Sequence, residues 1–267
     1  MPELPDVENF KRYFKKTALN KKIVNIECFA KDLIKRISFK DFKNKLIGKS
    51  FKDAWRRGKF LIIEIKQIPE KLVFHFGMTG SFYYLKPEES KTKRDRFIRL
   101  IFKFEDGDEL HWLNLRKLGR VYLVKDLKEI ELLKEMGPEP LMLSEKSFLK
   151  ILDENKEKNI KAVLLDQRII AGIGNIYSDE ILFQAKINPR REIKSLSLKE
   201  KIQIYKNMIK ILKRAIEAQI PYQQISKKSW LISHRYGDMR CPLNKKHKLK
   251  KQTIAGRSAY FCPICQK

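Results

Sequence analysis

The first residues of the chain, Met1, Pro2 and Glu3, could carry out nucleophilic chemistry. A small second residue normally permits removal of the initiator methionine, which would leave Pro2 with a secondary amine. An α-amino group has a pKa of about 7.7–8.0, against about 10.4 for lysine, so a useful fraction is unprotonated near neutral pH. Such an amine could attack the anomeric carbon of a deoxyribose, and Glu3 could shuttle the protons of the elimination that follows. Taken alone, these residues more often form only the lead-in to a helix.

A second set of residues could bind a metal ion near the C-terminus. The spacing is Cys241-x5-His247-x14-Cys262-x2-Cys265, and its closing Cys-x2-Cys is a strong half-site for zinc. Three of the four cysteines fall in the last 27 residues, whereas Cys28 stands alone, so metal binding is favoured over disulfides. We expect one structural Zn²⁺ in a Cys3His site; the alternative is a turn-rich ribbon without metal.

The stretch LLDQRIIAGIGNIYSDEILFQA places Gly172 and Gly174 directly before a new helix. The two glycines permit a tight turn. The backbone N–H groups and Asn175 at the helix start are therefore expected to bind a phosphate on the positive end of the helix. The alternative is a helical hairpin that glycine merely interrupts.

The charge of the chain restricts its partners. Lys and Arg number 59 and Asp and Glu 32, which gives a net charge of +27 at pH 7. A polyanion, above all nucleic acid, is the simplest partner, because neutralised phosphates release their counterions. Genome-wide bias towards Lys could account for part of the excess. The sequence has no long apolar segment and its acidic N-terminus is unlike a secretory signal, so we expect a soluble protein of the cytosol.

Two kinds of element must position these residues. Residues 6–19 have the spacing of a short amphipathic helix. From 21 to about 130, β-branched and aromatic runs alternate with turns, including a hairpin at 105–107, which is typical of an antiparallel sandwich or barrel. Helical periodicity follows over 145–220, beginning after Ser144, and the last thirty residues are basic and turn-rich. We predict a domain boundary near 135–145.

The N-terminal sequence MPELPDVE closely resembles the start of the formamidopyrimidine-DNA glycosylases, and further motifs of that family follow in order along the whole chain. The resemblance implies a β-sandwich domain, a helix-two-turn-helix domain and a zinc finger, with DNA held between them. It implies that Pro2 forms a Schiff base and that Glu3 is an essential acid/base. In RRGKFLIIEI, it implies that Lys59 lies on a β-hairpin and contacts a DNA phosphate, although an ordinary solvated lysine is the alternative.

The same resemblance identifies residues that would fill a duplex from which a base has been flipped out. Met78, in HFGMTGSF, resembles an intercalating methionine whose thioether adapts to the gap. In NLRKLGR, Arg116 and Leu118 take the places of an arginine that faces the orphaned base and of an aromatic wedge. The family usually has Asp-Pro where this chain has Asn114 and Leu115, and leucine stacks on a base less well than an aromatic ring.

Further positions in the C-terminal half follow the family pattern. Gly174, Asn175 and Tyr177 match the helix-two-turn-helix signature. Lys161 aligns with a lysine near the lesion pocket. Arg257 aligns with a zinc-finger arginine that contacts the phosphates flanking the flipped nucleotide.

Several departures from the family bear on zinc and on the lesion. The usual zinc pattern is Cys-x2-Cys-x16-Cys-x2-Cys, but Asn244 stands at the second cysteine, so His247 is the substitute. Asp6 replaces the usual Glu. The segment IPYQQISKKSWLISHRYGDMRC is shorter than the family's lesion-capping loop, which puts 8-oxoguanine recognition in doubt. Relatives that prefer oxidised pyrimidines usually have Gly where this chain has Leu4, which favours purines.

Together these observations predict an α+β protein with a β-sandwich domain at 1–135, a helix-two-turn-helix domain at 145–225 and a zinc finger at 236–267. The expected function is a bifunctional glycosylase and AP lyase that excises oxidised purines from double-stranded DNA and cleaves the strand by β,δ-elimination. We expect a monomer. The alternatives are the same mechanism on oxidised pyrimidines, a non-catalytic DNA-binding relative, and an RNA-associated zinc-ribbon protein.

Overall fold

The computed structural model describes residues 2–89, 95–218, 229–236 and 239–267. These residues form two compact units: Pro2 with residues 6–134, and residues 3–5 with 135–267. The helices are α1 (Leu4–Thr17), α2 (Phe39–Leu46), α3 (Glu131–Lys134), α4 (Glu145–Glu154), α5 (Ile160–Leu165), α6 (Asn175–Gln184) and α7 (Leu198–Glu217). The domain limits given above stay predictions, and half of the proposed lesion-capping segment (220–228 and 237–238) lies outside the described residues.

The strands of the first unit form a sandwich of two sheets. One sheet has the order β1-β7-β8-β6 and the other the order β2-β9-β5-β4-β3. The strands are β1 (Ile23–Cys28), β2 (Ile34–Lys35), β3 (Phe51–Arg57), β4 (Phe60–Ile65), β5 (Lys71–His75), β6 (Gly80–Leu85), β7 (Ile98–Phe104), β8 (Glu109–Asn114) and β9 (Arg120–Val124). All pairs in these two sheets are antiparallel except β2 with β9, since a long crossover brings the two-residue β2 alongside β9 in the same direction.

Aromatic side chains from both sheets meet in one core. The rings of Phe51 and Phe102 lie 5.5 Å apart, as do those of Phe74 and Trp112, and all four side chains are buried. Each buried ring of this kind stabilises the fold by roughly 1.5–3 kcal/mol through removal of apolar surface from water. The predicted β-sandwich is therefore confirmed.

The second unit is built from α4 to α7 around a separate core that includes Phe148, Ile181 and Met208. Ser144 caps α4 by accepting the N–H of Ser147, as the sequence predicts. Two hairpins complete the unit: β10 (Arg240–Cys241) with β11 (Asn244–Lys248), and β12 (Lys250–Ile254) with β13 (Arg257–Phe261). The predicted α+β class, with helices and a hairpin carrying the Cys/His cluster, is confirmed.

Candidate functional site

The side chain of Glu3 is anchored at the N-terminal end of α6. Its carboxylate accepts the N–H groups of Gly174 (2.6 Å), Ile176 (2.8 Å) and Tyr177 (3.2 Å), and the side chain is fully buried. The first N–H groups of a helix lack partners within it and carry partial positive charge, so they bind a carboxylate well. The amine of Pro2 is thus one residue away from a carboxylate whose position is fixed.

This arrangement corrects the predicted phosphate site at the same turn. The N–H groups that were expected to bind a phosphate are occupied by the Glu3 carboxylate. Gly172, at φ +82°, closes the turn onto the N-terminal segment: an added Cβ would lie 2.7 Å from Cδ1 of Leu4. The ring of Tyr177 is buried in the helical core, so it supports α6 and is not exposed to a ligand. The anion at this turn is therefore a carboxylate of the chain itself.

Asn175 joins the start of α6 to the second hairpin. Its Nδ2 donates to the carbonyl of Ser258 (2.8 Å), next to Arg257. Arg257 opens β13 and pairs with Ile254 across a two-residue turn, and its side chain is exposed. The structure therefore brings together three predicted DNA-binding positions, Gly174, Asn175 and Arg257, with the first buried in the turn and the last facing outward.

Lys161 lies in a buried charge cluster and has no exposed surface. Its ammonium group bonds to the Asp179 carboxylate, which also receives the Arg235 guanidinium (3.2 Å) and the N–H of Tyr260 (3.1 Å). Burial lowers the pKa of Lys161, and Asp179 opposes that shift. A lysine enclosed in this way holds α5, α6 and β13 together, and direct contact with DNA would require it to be uncovered. Arg235 was not predicted from the sequence, since an isolated arginine in a loop gives no signal.

Glu180 is buried beside this cluster and fixes the segment after residue 229. Its carboxylate accepts the N–H of Ile232 (2.9 Å) and the amide of Gln184 (2.8 Å). Burial raises the pKa of Glu180 to about 7; the bonds from Gln184 and from the N–H groups of Ile232 and Leu231 oppose this rise, and the charge of Asp179 adds to it.

This pKa predicts a stability that falls as pH rises. Between pH 4.5 and about 7 the folded chain keeps a proton on Glu180 that the unfolded chain has lost. The free energy of unfolding should therefore drop by up to about 3 kcal/mol over this window. Urea unfolding at several pH values will measure it, and Glu180→Gln should flatten the curve. Glu200→Gln is the control, because the pKa of Glu200 is lowered and its effect lies at lower pH. Equal slopes in the wild type and Glu180→Gln would contradict the assignment.

Lys59 follows Gly58 in the tight turn between β3 and β4, as the family hairpin implies. Arg56 stabilises this turn: its Nη1 donates to the Gly58 carbonyl (3.0 Å) and its Nε contacts the Glu8 carboxylate (3.2 Å). Lys59 is half-buried at the end of the sandwich. The bonds of Arg56 therefore fix the backbone of the turn that carries Lys59 and its ammonium group.

His75 is a second residue near Lys59, and the sequence analysis missed it. Its ring lies 4.8 Å from that of Phe60, and it pairs with Arg120 in the neighbouring strand. Burial, together with the charges of Lys59 and Arg120, lowers the pKa of His75 to about 4. The imidazole is therefore neutral at physiological pH and can donate or accept a hydrogen bond without adding charge.

Met78, Arg116 and Leu118, which were predicted to fill the duplex, lie on two adjoining loops of the sandwich. Nη1 of Arg116 is 3.2 Å from Sδ of Met78, and its backbone N–H donates to Oγ1 of Thr79 (3.0 Å). Met78 is 38% and Leu118 48% exposed, so both apolar side chains reach the surface of the loops. The loops touch closely at Gly77, where an added Cβ would lie 2.5 Å from the Leu118 carbonyl carbon.

The four predicted zinc ligands converge at the base of the hairpins. The ligand atoms of Cys241, His247, Cys262 and Cys265 all lie within 4.8 Å of one another. Sγ of Cys241 and Sγ of Cys265 are 3.8 Å apart, which matches the edge of a tetrahedron with Zn–S distances of about 2.3 Å. Nδ1 of His247 lies 3.3 Å and 3.8 Å from the sulfurs of Cys265 and Cys262, so this nitrogen faces the centre.

The donor chemistry also fits zinc. Burial and the hydrogen bonds that the Cys265 thiol makes to the sulfurs of Cys262 and Cys241 raise the pKa of Cys265 to about 12. When a divalent cation binds, the cysteines lose their protons and coordinate it as thiolates, so metal–sulfur bonds replace the contacts between thiols. The arrangement agrees with one structural Zn²⁺, and Asn244, at the family's second cysteine position, lies in β11 with an exposed side chain.

No helix in the described part of the chain combines the length and the apolar character needed to cross a membrane.

Comparison with known proteins agrees with this geometry. Residues 1–121 match the formamidopyrimidine-DNA glycosylase N-terminal domain, and residues 136–226 match the formamidopyrimidine-DNA glycosylase H2TH domain. The formamidopyrimidine-DNA glycosylase of Carboxydothermus hydrogenoformans is 36% identical over 278 residues, covering 100% of both chains. That of Bacillus cereus is 34% identical over 279 residues, covering 100% of this chain and 99% of the relative.

Solved structures give the same result. The structure of wild-type Lactococcus lactis Fpg (MutM) with DNA containing N7-benzyl-Fapy-dG superimposes with a TM-score of 0.83, at 31% identity and full coverage of both chains. MutM in complex with DNA containing carbocyclic 8-oxo-G gives a TM-score of 0.85 at 32% identity, again over both full chains. The chain therefore belongs to the formamidopyrimidine-DNA glycosylase family.

Proposed function

We propose that this protein removes oxidised purines, such as 8-oxoguanine and formamidopyrimidines, from double-stranded DNA and then cleaves the strand as an AP lyase. Its relatives are named for the first activity, and the solved neighbours hold DNA with formamidopyrimidine, 8-oxoguanine or abasic sites. The observation that carries the proposal for this chain is the fixed carboxylate of Glu3 directly after Pro2.

The reaction follows from these two residues. The Pro2 amine forms a bond to C1′ of the lesion nucleotide while the bond from C1′ to the base breaks, and the base leaves with a proton. Opening of the sugar gives an iminium between Pro2 and C1′, which acidifies the C2′ proton. Loss of that proton expels the 3′ phosphate, and a second elimination expels the 5′ phosphate. Glu3 moves the protons, and water finally releases Pro2.

Other residues hold the DNA. The Lys59 ammonium group binds a phosphate near the reacting sugar, and the exposed Arg257 binds phosphates beside the flipped nucleotide. Met78, Arg116 and Leu118 fill the gap left by the extruded base, and the apolar pair offsets part of the unstacking cost of a few kcal/mol. Within the helical unit, the start of α6 is held in place by four residues: Lys161, Gly174, Asn175 and Tyr177. The zinc site of this unit stabilises the hairpins. The net charge of +27 attracts the duplex.

Two alternatives are weaker. Oxidised pyrimidines could be the main substrates, but Leu4 favours the purine branch of the family. A non-catalytic DNA-binding protein would be expected to lack Pro2, Glu3 or Lys59, and all three are present. We propose that the protein acts as a monomer in the bacterial cytosol.

Borohydride trapping tests the nucleophile. Reduction of the iminium should give a stable covalent complex between the wild-type chain and a duplex with an oxidised purine, visible as a shifted band on a denaturing gel. Pro2→Gly should lose most of this complex, because it replaces the secondary amine. Pro69→Gly makes the same change at an exposed proline and should trap as the wild type does. Full trapping by Pro2→Gly would refute the assignment of Pro2.

A further inference from the structure

Asn114 is a fully buried polar side chain between the two loops that carry Met78, Arg116 and Leu118. Its Nδ2 donates to the carbonyl of Phe76 (3.0 Å), the residue that begins the Met78 loop. Its Oδ1 accepts the N–H of Leu118 (3.2 Å) in the other loop. One amide group therefore joins both loops.

The backbone around Asn114 strengthens this connection. Its carbonyl accepts Nε of Arg99 (3.0 Å) and the N–H of Lys117 (3.3 Å), which closes the turn that presents Arg116. The carbonyl of Phe76 also accepts the N–H of Gly80 (2.9 Å), closing the turn with Met78 at its tip. The Met78 turn is thus closed on Phe76 O, the same atom that the Asn114 amide binds, and the Arg116 turn is closed on the main-chain carbonyl of Asn114 itself.

An amide side chain at position 114 makes both hydrogen bonds, which an ionised carboxylate cannot do. A carboxylate could accept the Leu118 N–H, but its second oxygen would face the Phe76 carbonyl without a proton, and two buried acceptors repel each other. The space is also restricted, since an added Cβ at Gly119 would lie 2.2 Å from Nδ2 of Asn114. The family's usual Asp therefore could not make the Phe76 bond when ionised.

We propose that Asn114 is the positioning residue that holds Met78, Arg116 and Leu118 in one arrangement and thereby sets the preference for the base opposite the lesion. This inference rests on the proposed function. Arg116 can recognise an orphaned base only if its backbone is fixed relative to the Met78 loop, and the Asn114 amide supplies that restraint. The hydrogen bonds of the Asn114 amide supply rigidity that a proline, the residue that the family usually has at position 115, would otherwise give.

The test compares kcat/KM for 8-oxoguanine opposite cytosine and opposite adenine. At about pH 8, Asn114→Asp should lower the cytosine-to-adenine ratio about fivefold, the value of one hydrogen bond near 1 kcal/mol. The control is Asn155→Asp, because Asn155 also donates from Nδ2 to a main-chain carbonyl, that of Ile151 (2.9 Å), in the other unit. Its ratio should stay within about twofold of the wild type.

The pH dependence separates positioning from general destabilisation. Burial raises the pKa of the introduced carboxyl, so at about pH 6 it can take up a proton and donate to the Phe76 carbonyl again. The ratio of Asn114→Asp, normalised to the wild type at each pH, should therefore recover as pH falls. A purely structural defect would lower activity on both duplexes alike and leave the ratio unchanged.

A second variant covers the case in which Asn114→Asp does not fold. Thr79→Val removes the hydroxyl that accepts the Arg116 N–H, a further polar link between the loops, and should lower the ratio to a smaller extent. An unchanged ratio in the folded variants, or a wild type without preference for cytosine, would overturn the role of Asn114. A wild type that neither excises the lesion nor traps on it would refute the proposed function instead.

Discussion

Glu3→Gln should reduce excision of 8-oxoguanine by about 10²–10⁴-fold, the usual contribution of a general acid/base. The amide has nearly the shape of the carboxylate but cannot exchange protons with the departing base or the sugar. Its NH2 group would also face one of the N–H groups of Gly174, Ile176 and Tyr177, which leaves a buried donor unpaired at a cost of about 1–3 kcal/mol. Single-turnover excision and thermal unfolding measure the two effects.

A control separates chemistry from stability. The carboxylate of Glu200 also accepts an N–H at a helix start, that of Ser197 (2.8 Å), but it caps α7. Glu200→Gln should lower the melting temperature while excision stays within about threefold of the wild type. On a duplex with a preformed abasic site, Glu3→Gln should lose less activity, because no base has to leave. Wild-type excision by Glu3→Gln would contradict the role of Glu3 as the proton carrier.

The sequence predicted the strands with apolar cores and the long helices best. The first helix was expected at 6–19 and lies at Leu4–Thr17, and the hairpin at 105–107 connects β7 to β8. The helix α2 was not predicted, since it lies within the stretch that was expected to contain only strands and turns. The apolar residues Phe39, Phe42 and Leu46 have helical spacing, but α2 is only eight residues long, too short for this spacing to be decisive. The clearest sequence signal for the start of α2 was its N-cap residue Ser38, whose hydroxyl accepts the N–H of Asp41.

Residues of the candidate site were predictable where their chemical type and their spacing in the sequence indicate a common function. The zinc ligands belong to this class, whereas Met78 and Leu118 were indicated only by the resemblance to the family. Contacts across long sequence separations were not predictable. No local pattern shows that Glu3 occupies the N–H groups at the start of α6, about 170 residues away, or that Asp179 buries Lys161. These contacts depend on packing, which periodicity does not encode.

His247→Ala should abolish zinc binding at the C-terminal hairpins. Removing a residue that only hydrogen-bonds to a metal ligand typically lowers metal affinity about 10–100-fold, so loss of a direct ligand should lower it by more than about 100-fold. The hairpin strand with Arg257 should then lose its order, since Cys262 and Cys265 follow it directly, and DNA binding should weaken with it. Metal content after dialysis against a chelator, measured by mass spectrometry, gives the first result, and a DNA-binding titration gives the second.

The position of Asn244 offers a rescue that distinguishes ligand loss from misfolding. Asn244 lies in the hairpin opposite Cys241 and occupies the place of the family's second cysteine. Asn244→Cys combined with His247→Ala restores four donors, with Cys-x2-Cys spacing in both halves, so this double variant should regain one zinc per chain and its affinity for DNA. Lys246→Ala, next to His247 but outside the ligand set, should keep its zinc. Full zinc content in His247→Ala alone would mean that the fourth ligand is another residue, because three cysteines leave one position of the tetrahedron open.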